Sequence, residues 1–565
     1  MFKIISRIPP FLGNSTGQQT TSFSYQCTRS QGFSTSCADL PAMHLEISFS
    51  KAAPYGAAFS ILYLFLVICY RLWFHPLRRY PGPFSAKLCD LYGAFHAYKT
   101  RLHETTLQDH EQYGPVIRQG PNKLVFNTVG ALHDIYRDAK FTKSRTYLIS
   151  QRHPGVYGLF NSVDQELHQS KRKLVARRYS PKEVHAFEPT MIDQIDIFIK
   201  QLAESCRNPD HGPVNMTKQA KYLAIDMMGH FLFGYPLKLQ TESTHRVMAS
   251  SKANFFFNVG AQLPFLVDVG VLRAVQYLWS RMSSKNYIQA LDKIITNRLS
   301  QGPKVKEELL FMSAKSRISA DDTEWLRDIR TEAVWHMLAG SDTISTTVSA
   351  LFFYLAQNED CYQRLAHEVR STFPQETEIR GGSLLSSCTY LRACLDETLR
   401  MSPSIPGTLW REEVNNRSDT TEPLVVDGHV VPPGVQVGVN TYALLHNEQY
   451  FPDAFNFKPA RWLEESGPGQ SNKQAFAPFS IGNRSCLGKS MAYLEASIIV
   501  AKTLWHFDFH MSAAEQQDVP PPCSQGGSQR FRNRASFPMK DTFSAMHDGP
   551  FLRFEFRDAG VGLGR

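Results

Sequence analysis

Apolar and polar positions along the chain fall into two regimes. From Ala52 to Tyr70 the sequence AAPYGAAFSILYLFLVICY runs nineteen residues without a charge. As a helix rising about 1.5 Å per residue, that run is long enough to cross a bilayer core of roughly 30 Å. Downstream, apolar residues recur at helical spacing around residues 188 to 205, 324 to 357, 360 to 373, 388 to 401 and 487 to 505, and strand-like runs such as Val425 to Val437 are few and short. The pattern predicts a mainly α body with a smaller β region, preceded by one transmembrane helix.

Four segments are expected. Residues 1–51 hold fourteen Ser or Thr and no acidic residue before Asp39, which reads as an unstructured extension or transit-like leader. Residues 52–70 form the span. Residues 71–83 contain Pro76, Pro81 and Pro83, which restrict the backbone and cannot continue a helix, so they read as a stiff proline-rich hinge. Residues 84–565 form the globular body. Arg71, Arg78 and Arg79 flank the C-terminal end of the span and place the body in the cytosol with the N-terminus across the membrane. In that topology the sequon Asn14-Ser15-Thr16 lies on the lumenal side and is a candidate glycosylation site. The stretch Glu515 to Arg534, with PPP and GGS, reads as a surface insertion.

Composition narrows the class. Apolar residues at 42% and charged residues at 20% exclude a disordered chain, a collagen or a nucleic-acid-binding tail, and no nucleic-acid partner is expected. Lys plus Arg (61) exceed Asp plus Glu (52) by 9, a surplus that suits an anionic membrane surface or an acidic partner protein. The ten cysteines are scattered with no CxxC, which fits a reducing compartment and leaves each thiol to be judged on its own surroundings.

Cys486 has the most telling surroundings. It lies in Phe479-Ser480-Ile481-Gly482-Asn483-Arg484-Ser485-Cys486-Leu487-Gly488, just before an apolar helical stretch from Met491 to Trp505. Free amides and the helix dipole there favour an anionic sulfur, lower the thiol pKa and suit a metal ligand. Gly482 and Gly488 allow a tight turn and close approach to a flat cofactor, and Arg484 can meet a carboxylate two residues from the sulfur. With no neighbouring His or second Cys, zinc is disfavoured. Upstream, Ala339-Gly340-Ser341-Asp342-Thr343 interrupts a long helical pattern with poor helix formers, and a local distortion that admits oxygen and water is expected. Glu397 and Arg400 are three apart and can pair on one helical face. His168 and Arg172, four apart, point the same way and can reach one anion.

The ten residues around Cys486 match FxxGxRxCxG at every fixed position, and the chain resembles the cytochrome P450 family over about residues 70 to 510. The resemblance implies the P450 fold for residues 84–565, with haem as cofactor and Cys486 as the axial thiolate of its iron, an electron-rich sulfur that assists O–O cleavage. Phe479 and Gly488 belong to the ligand loop. Ala339 to Thr343 is similar to the AGxDT oxygen-activation motif, in which the Thr343 hydroxyl supports the hydrogen bonding of dioxygen and Asp342 helps relay protons. Glu397, Arg400 and Arg461, the last from Phe457-Lys458-Pro459-Ala460-Arg461-Trp462, take a scaffold role. His168, Arg172, Arg411 and Arg484 are the implied partners of the haem propionates.

The chain has no GxGxxG in a βαβ setting to carry a flavin or nicotinamide, so electrons are expected from another protein; the resemblance implies that this partner is an NADPH-cytochrome P450 reductase, docking behind Cys486 near Lys489 and Arg484. The implied reaction inserts one atom of O2 into a lipophilic small molecule. Trp335, His336 and Ile405 to Leu409 are candidate pocket residues. Phe255 to Phe257 and Leu263 to Val267 form either a lid dipping toward the bilayer or a buried helix pair. YRLWFHPLRRYPGP and FAPFSIGNRSCLGKSMAYLE are similar to fungal microsomal members that work in secondary metabolism, which implies a single-pass endoplasmic reticulum protein. Two other readings stay open: a haem-thiolate isomerase or dehydratase that needs no external electrons, and a haem-binding membrane protein without turnover.

Overall fold

The longest apolar-periodic stretch of the sequence becomes a single α-helix, Thr323–Gln357, against which the helices Met216–Phe233, Lys285–Leu299, Glu359–Thr372, Thr389–Met401 and Lys489–His506 pack. The computed structural model describes residues 49–153, 155–208, 210, 212–250, 252–269, 285–302, 323–414, 423–463, 473–512 and 536–557. In chain order its helices of nine or more residues are α1 (Phe49–Cys69), α2 (Leu102–Tyr113), α3 (Val129–Arg137), α4 (Gln165–Arg178), α5 (Pro181–Arg207) and α6 (Met216–Phe233). They continue with α7 (Ala253–Ala261), α8 (Lys285–Leu299), α9 (Thr323–Gln357), α10 (Glu359–Thr372), α11 (Thr389–Met401) and α12 (Lys489–His506).

The helix boundaries follow local chemistry. Asp164 caps α4 by accepting from the Leu167 amide at 2.7 Å. Ser180 caps α5, with Pro181 at its first position. Asn215 caps α6, which stops at Gly234 in the left-handed region at φ 59°. The helical patterns around 188 to 205 and 388 to 401 lie inside α5 and over α11. The long one at 324 to 357 is α9 without a break, so the expected distortion at Gly340 is absent. Gly340 serves packing instead: a Cβ there would stand 2.3 Å from Met228 Sδ, so the missing side chain lets α9 and α6 cross closely.

The apolar run near the N-terminus is helical, and the candidate span reaches from Pro54 to Phe74 with none of it buried. It extends past Tyr70 through a π-helical turn, Tyr70–Phe74, and stops where His75 turns extended (φ −69°, ψ 141°) before Pro76. The proline-rich hinge is ordered rather than merely stiff. Pro76–Arg79 is a 3₁₀ turn capped by His75, Leu77 is fully buried, and the buried Arg118 donates to the Arg71 carbonyl at 3.0 Å.

The β part is small. One sheet has the order β1-β2-β8-β5-β3, with strands Val116–Gly120, Lys123–Phe126, Gln436–Val439, Arg411–Glu413 and Phe141–Lys143 respectively. Only β2 and β8 run parallel in it. The single run foreseen from Val425 to Val437 is divided into β6 (Leu424–Val426), β7 (His429–Val431) and β8. Asp427 and Gly428, at φ 48° and 77°, make the two-residue turn between β6 and β7, and Gly434 at φ 77° separates β8. Near the C-terminus β10 (Lys540–Thr542) and β11 (Ser544–Met546) form a hairpin with Phe543 at its tip. β4 (Val214–Asn215), β12 (Phe551–Phe556) and β9 (Phe507–Met511) form a separate three-stranded sheet. The sequon at Asn14 and the insertion Glu515 to Arg534 lie outside the described residues.

Behind the cysteine loop, α11 supplies a buried polar node. Glu397 and Arg400 are fully buried and paired through two contacts of 2.9 Å. Glu397 also accepts from Arg461 Nε at 3.1 Å, the Lys458 amide at 2.9 Å and Trp462 Nε1 at 3.0 Å. Arg400 in turn donates to the carbonyls of Leu445 and Ala454 at 3.0 and 2.7 Å. Three chain segments thus share one satisfied network beneath the loop that holds Cys486.

Candidate active site

A cavity of about 370 Å³ lies between α9 and the cysteine loop, lined by residues from α3, α4, α9, β5, the loop and α12. The loop is set by two positive-φ positions, Ser480 (54°) and Gly482 (73°), and by the Cys486 amide donating to the Phe479 carbonyl at 2.9 Å. The close approach made by Gly482 is to protein: a Cβ there would fall 2.0 Å from the Tyr136 carbonyl oxygen at the end of α3. Gly482→Ala therefore combines a backbone conformation disfavoured for alanine with a clash against rigid backbone. It is expected to cost about 2 kcal/mol or more and to lower Tm by several degrees in a thermal melt; an unchanged Tm would contradict this seating of the loop.

Cys486 precedes the first turn of α12 by three residues, Gly488 being the N-cap. Its side chain is accessible from within the cavity, although protein surrounds it on almost every side. A Cβ on Gly488 would lie 3.9 Å from the sulfur, so the glycine leaves the ground beside Cys486 clear. The expectation of a lowered thiol pKa is reversed in the protein alone. Burial pushes the thiol up, and the amides of Gly488 and Lys489 with the charges of Arg172 and Lys489 only partly oppose it.

Facing the same cavity is a cluster of cations. Arg172 donates to the Ser485 carbonyl at 2.8 Å, Arg411 to the Trp410 carbonyl at 3.1 Å, and Arg484 to the Ser162 carbonyl at 2.7 Å and Thr142 Oγ1 at 2.9 Å. None of the three pairs with a carboxylate among the described residues. Lys143, which was not evident from the sequence, joins them from β3: it is cross-strand partner to Arg411, half-buried, and donates to the Phe160 carbonyl at 2.5 Å. Like charges on directly paired residues repel. The cost is visible in the titration of the group. Burial, then Arg411, bring Arg484 down to about 9; burial, then Arg484 and Arg411, push Lys143 well down; burial, then Arg484, Lys143, Arg172 and Arg411, hold His168 far below its usual value.

Thr343 and the candidate pocket residues Trp335, His336, Ile405 and Leu409 line the cavity as well, with the Thr343 hydroxyl donating to the Ala339 carbonyl at 2.6 Å. Phe160 stacks on Trp335 at 4.1 Å between ring centres, and Tyr147, Phe257 and Phe543 complete an aromatic wall. Phe257 belongs to that buried wall, whereas Phe265 is exposed. Asp342 does not face the cavity. Its carboxylate is held behind the lining by Lys221 at 3.0 Å, Asn254 at 2.9 Å and Ser544 at 3.0 Å. Glu495, also on the lining and unremarked in the sequence, has a buried carboxyl oxygen without a partner, and burial raises its pKa to about 8.

The residues present fit haem. Three guanidinium groups and an ammonium crowd one cavity, and among the described residues none of the guanidinium groups is ion-paired with a carboxylate, which calls for a ligand of compensating negative charge such as a porphyrin with two propionates. Among the described residues a single thiol, Cys486, stands on the same cavity beside a glycine. Among the described residues no group of three or more His, Cys, Asp or Glu is placed to hold a metal ion.

Helix-rich architecture, a lone loop thiol and an unneutralised cation cluster together define a haem-thiolate protein. The family model "Cytochrome P450" matches residues 81–530. The cytochrome P450 monooxygenase poxM of Penicillium oxalicum is 31% identical over 526 residues, covering 91% of this chain and 96% of that protein. The cytochrome P450 monooxygenase apf7 of Gibberella fujikuroi is 31% identical over 526 residues (87% and 96%), and atnE of Emericella nidulans 31% over 477 residues (80% and 89%). The chain belongs to the cytochrome P450 family of haem-thiolate iron enzymes and is an oxidoreductase of the monooxygenase kind.

Proposed function

We propose that this protein is a membrane-anchored monooxygenase that oxidises a lipophilic small molecule in fungal secondary metabolism, on the cytosolic side of the endoplasmic reticulum, with electrons from NADPH delivered by a cytochrome P450 reductase. The observation that carries the reading is the Cys486 sulfur and the uncompensated cations of Lys143, Arg172, Arg411 and Arg484 facing one cavity. The fungal sources of the relatives, the apolar helix with its basic flank, and the apolar aromatic wall support the finer points.

In this reading the Cys486 sulfur would hold the haem iron, and His168, Arg172, Arg411, Arg484 and Lys143 would bind the two propionates, with Phe479 and Gly488 shaping the loop. Thiolate-ligated haem supplies the activation of dioxygen and the transfer of one oxygen atom. The chain's own residues manage binding and protons. Phe160, Trp335 and Phe543 exclude bulk water and pack an apolar substrate. The Thr343 proton is committed to the Ala339 carbonyl, so its oxygen faces the cavity as an acceptor that can hold a donor in place. Asp342 reaches the cavity only through others: Lys221 lies at one side of its carboxylate and the Ser544 hydroxyl, which lines the cavity, at the other.

For the reductase, Lys489 is exposed at the start of α12 and available to an acidic surface, whereas Arg484 is turned inward on Ser162 and Thr142. The purified protein with haem, reductase, NADPH and O2 should form oxygenated product from a lipophilic substrate; product formed with no NADPH consumed would contradict the monooxygenase reading. Thr343→Ala should keep its haem and consume NADPH while coupling falls several-fold and hydrogen peroxide rises. Unchanged coupling would remove Thr343 from proton handling.

A further inference from the structure

Asn254 stands near the start of α7, is buried, and lines the cavity. Its amide nitrogen has two partners, Asp342 Oδ2 at 2.9 Å and Ser544 Oγ at 2.6 Å. The first partner decides the orientation of the amide. Asp342, ion-paired with Lys221 at 3.0 Å, presents acceptors only, so the NH2 side of Asn254 must face it. Ser544 completes the arrangement, because its hydroxyl donates to Asp342 Oδ2 at 3.0 Å and so offers a lone pair to the second N–H of Asn254. A flipped amide would set its carbonyl against a carboxylate oxygen and lose both bonds. Three elements, α7, α9 and β11, thus fix one side chain in one orientation.

The carbonyl oxygen of Asn254 is what remains. Among the described residues Oδ1 accepts no hydrogen bond, and the side chain to which it belongs is on the cavity lining. Apart from Ser544, which is already engaged, the same lining carries the aromatic side chains of Phe160, Trp335 and Phe543. An acceptor held rigidly in an apolar wall discriminates strongly, since a substrate group that cannot donate leaves it desolvated and unpaired.

We propose that Asn254 is a specificity-determining residue whose carbonyl receives a hydroxyl or N–H of the substrate, so that the substrate class is lipophilic molecules carrying a hydrogen-bond donor remote from the oxidised carbon. The inference rests on the haem-thiolate reading of the same cavity. It gives Asp342 a second duty, orienting the acceptor, that is separate from any proton transfer.

The test uses the purified, haem-loaded full chain and N-alkylimidazoles, whose free ring nitrogen anchors them on the iron. Two series are titrated by the shift of the Soret band, one ending in a hydroxyl and one in the matching methyl ether, with chains of roughly four to ten carbons. At the chain length that reaches α7 the alcohol should bind about five- to tenfold more tightly than its ether, as expected for one buried hydrogen bond. Asn254→Leu should erase that preference at that length and leave ether affinity within about twofold. Ser544→Ala, which keeps the Asp342 contact, should retain most of it. Equal affinities at every length in the wild type would overturn the proposal whatever the variants do, as would a preference that survives in Asn254→Leu. A protein that gives no azole-induced shift at all would instead overturn the haem reading on which the proposal rests.

Discussion

Cys486→Ala is expected to abolish turnover, lowering it on the order of a thousandfold or more, about 4 kcal/mol in barrier terms, while leaving the fold intact. The two halves of that expectation have separate causes. The sulfur lines the cavity, and the loop is held by other contacts: the Cys486 amide on the Phe479 carbonyl at 2.9 Å, Arg172 on the Ser485 carbonyl at 2.8 Å, and Gly482 against Tyr136. Removing one sulfur atom deletes none of these, so thermal melting of the haem-free protein should shift by only a degree or two. The chemical half follows from ligation, because alanine offers the iron nothing. The pair of measurements separates the causes: melting temperature reports the fold, and turnover with reductase and NADPH reports the ligand. Retained turnover in the variant would remove Cys486 from the chemistry.

Glu397→Ala should have the opposite signature, a protein that barely folds. The carboxylate joins Arg400, Arg461, the Lys458 amide and the Trp462 indole, and Arg400 is fully buried with no route to water. Deleting the acid strands a buried guanidinium, a change that costs about 3–5 kcal/mol, a large share of the stability of an ordinary domain. Urea denaturation should show the midpoint moving down strongly or the soluble protein disappearing; a midpoint within error of wild type would contradict the node. The same network predicts a pH dependence. Burial alone would raise the Glu397 pKa, but Arg400, Arg461 and the Lys458 amide outweigh it and hold the carboxyl below its usual value. A carboxyl depressed by folding stabilises the protein above its unfolded pKa, and that contribution is lost as pH falls through the lowered folded value. Acid sensitivity should therefore be weaker in any variant of Glu397 that still folds.

What the sequence made legible is what its neighbours in the chain determine. The long helix is readable because its apolar spacing lies within one stretch, and α4, α5 and α6 start where Asp164, Ser180 and Asn215 supply caps. The cysteine loop was readable because glycine, arginine and cysteine stand at fixed short intervals. His168, Arg172, Arg411 and Arg484, widely separated in sequence, do line one cavity with Cys486.

Lys143 was not legible, because its place beside Arg411 comes from the pairing of β3 with β5 across more than two hundred residues. Asn254 and Ser544 were missed for the same reason: each is an ordinary polar residue until α7 and β11 meet α9 at Asp342. Where the sequence reading erred, it took a local tendency without its tertiary opponent. Gly340 reads as a helix weak point, but Met228 fills the space a side chain would take. The helix start near Cys486 favours thiolate, but burial acts more strongly on the same sulfur.

The most direct test of the central claim is the absorption spectrum of the purified wild-type protein, reduced and exposed to carbon monoxide. The account predicts bound haem and the strongly red-shifted Soret band of thiolate-ligated iron. A band of the histidine-ligated type, or a folded protein that takes up no haem when supplied with it, would contradict the assignment of Cys486 and the cation cluster together.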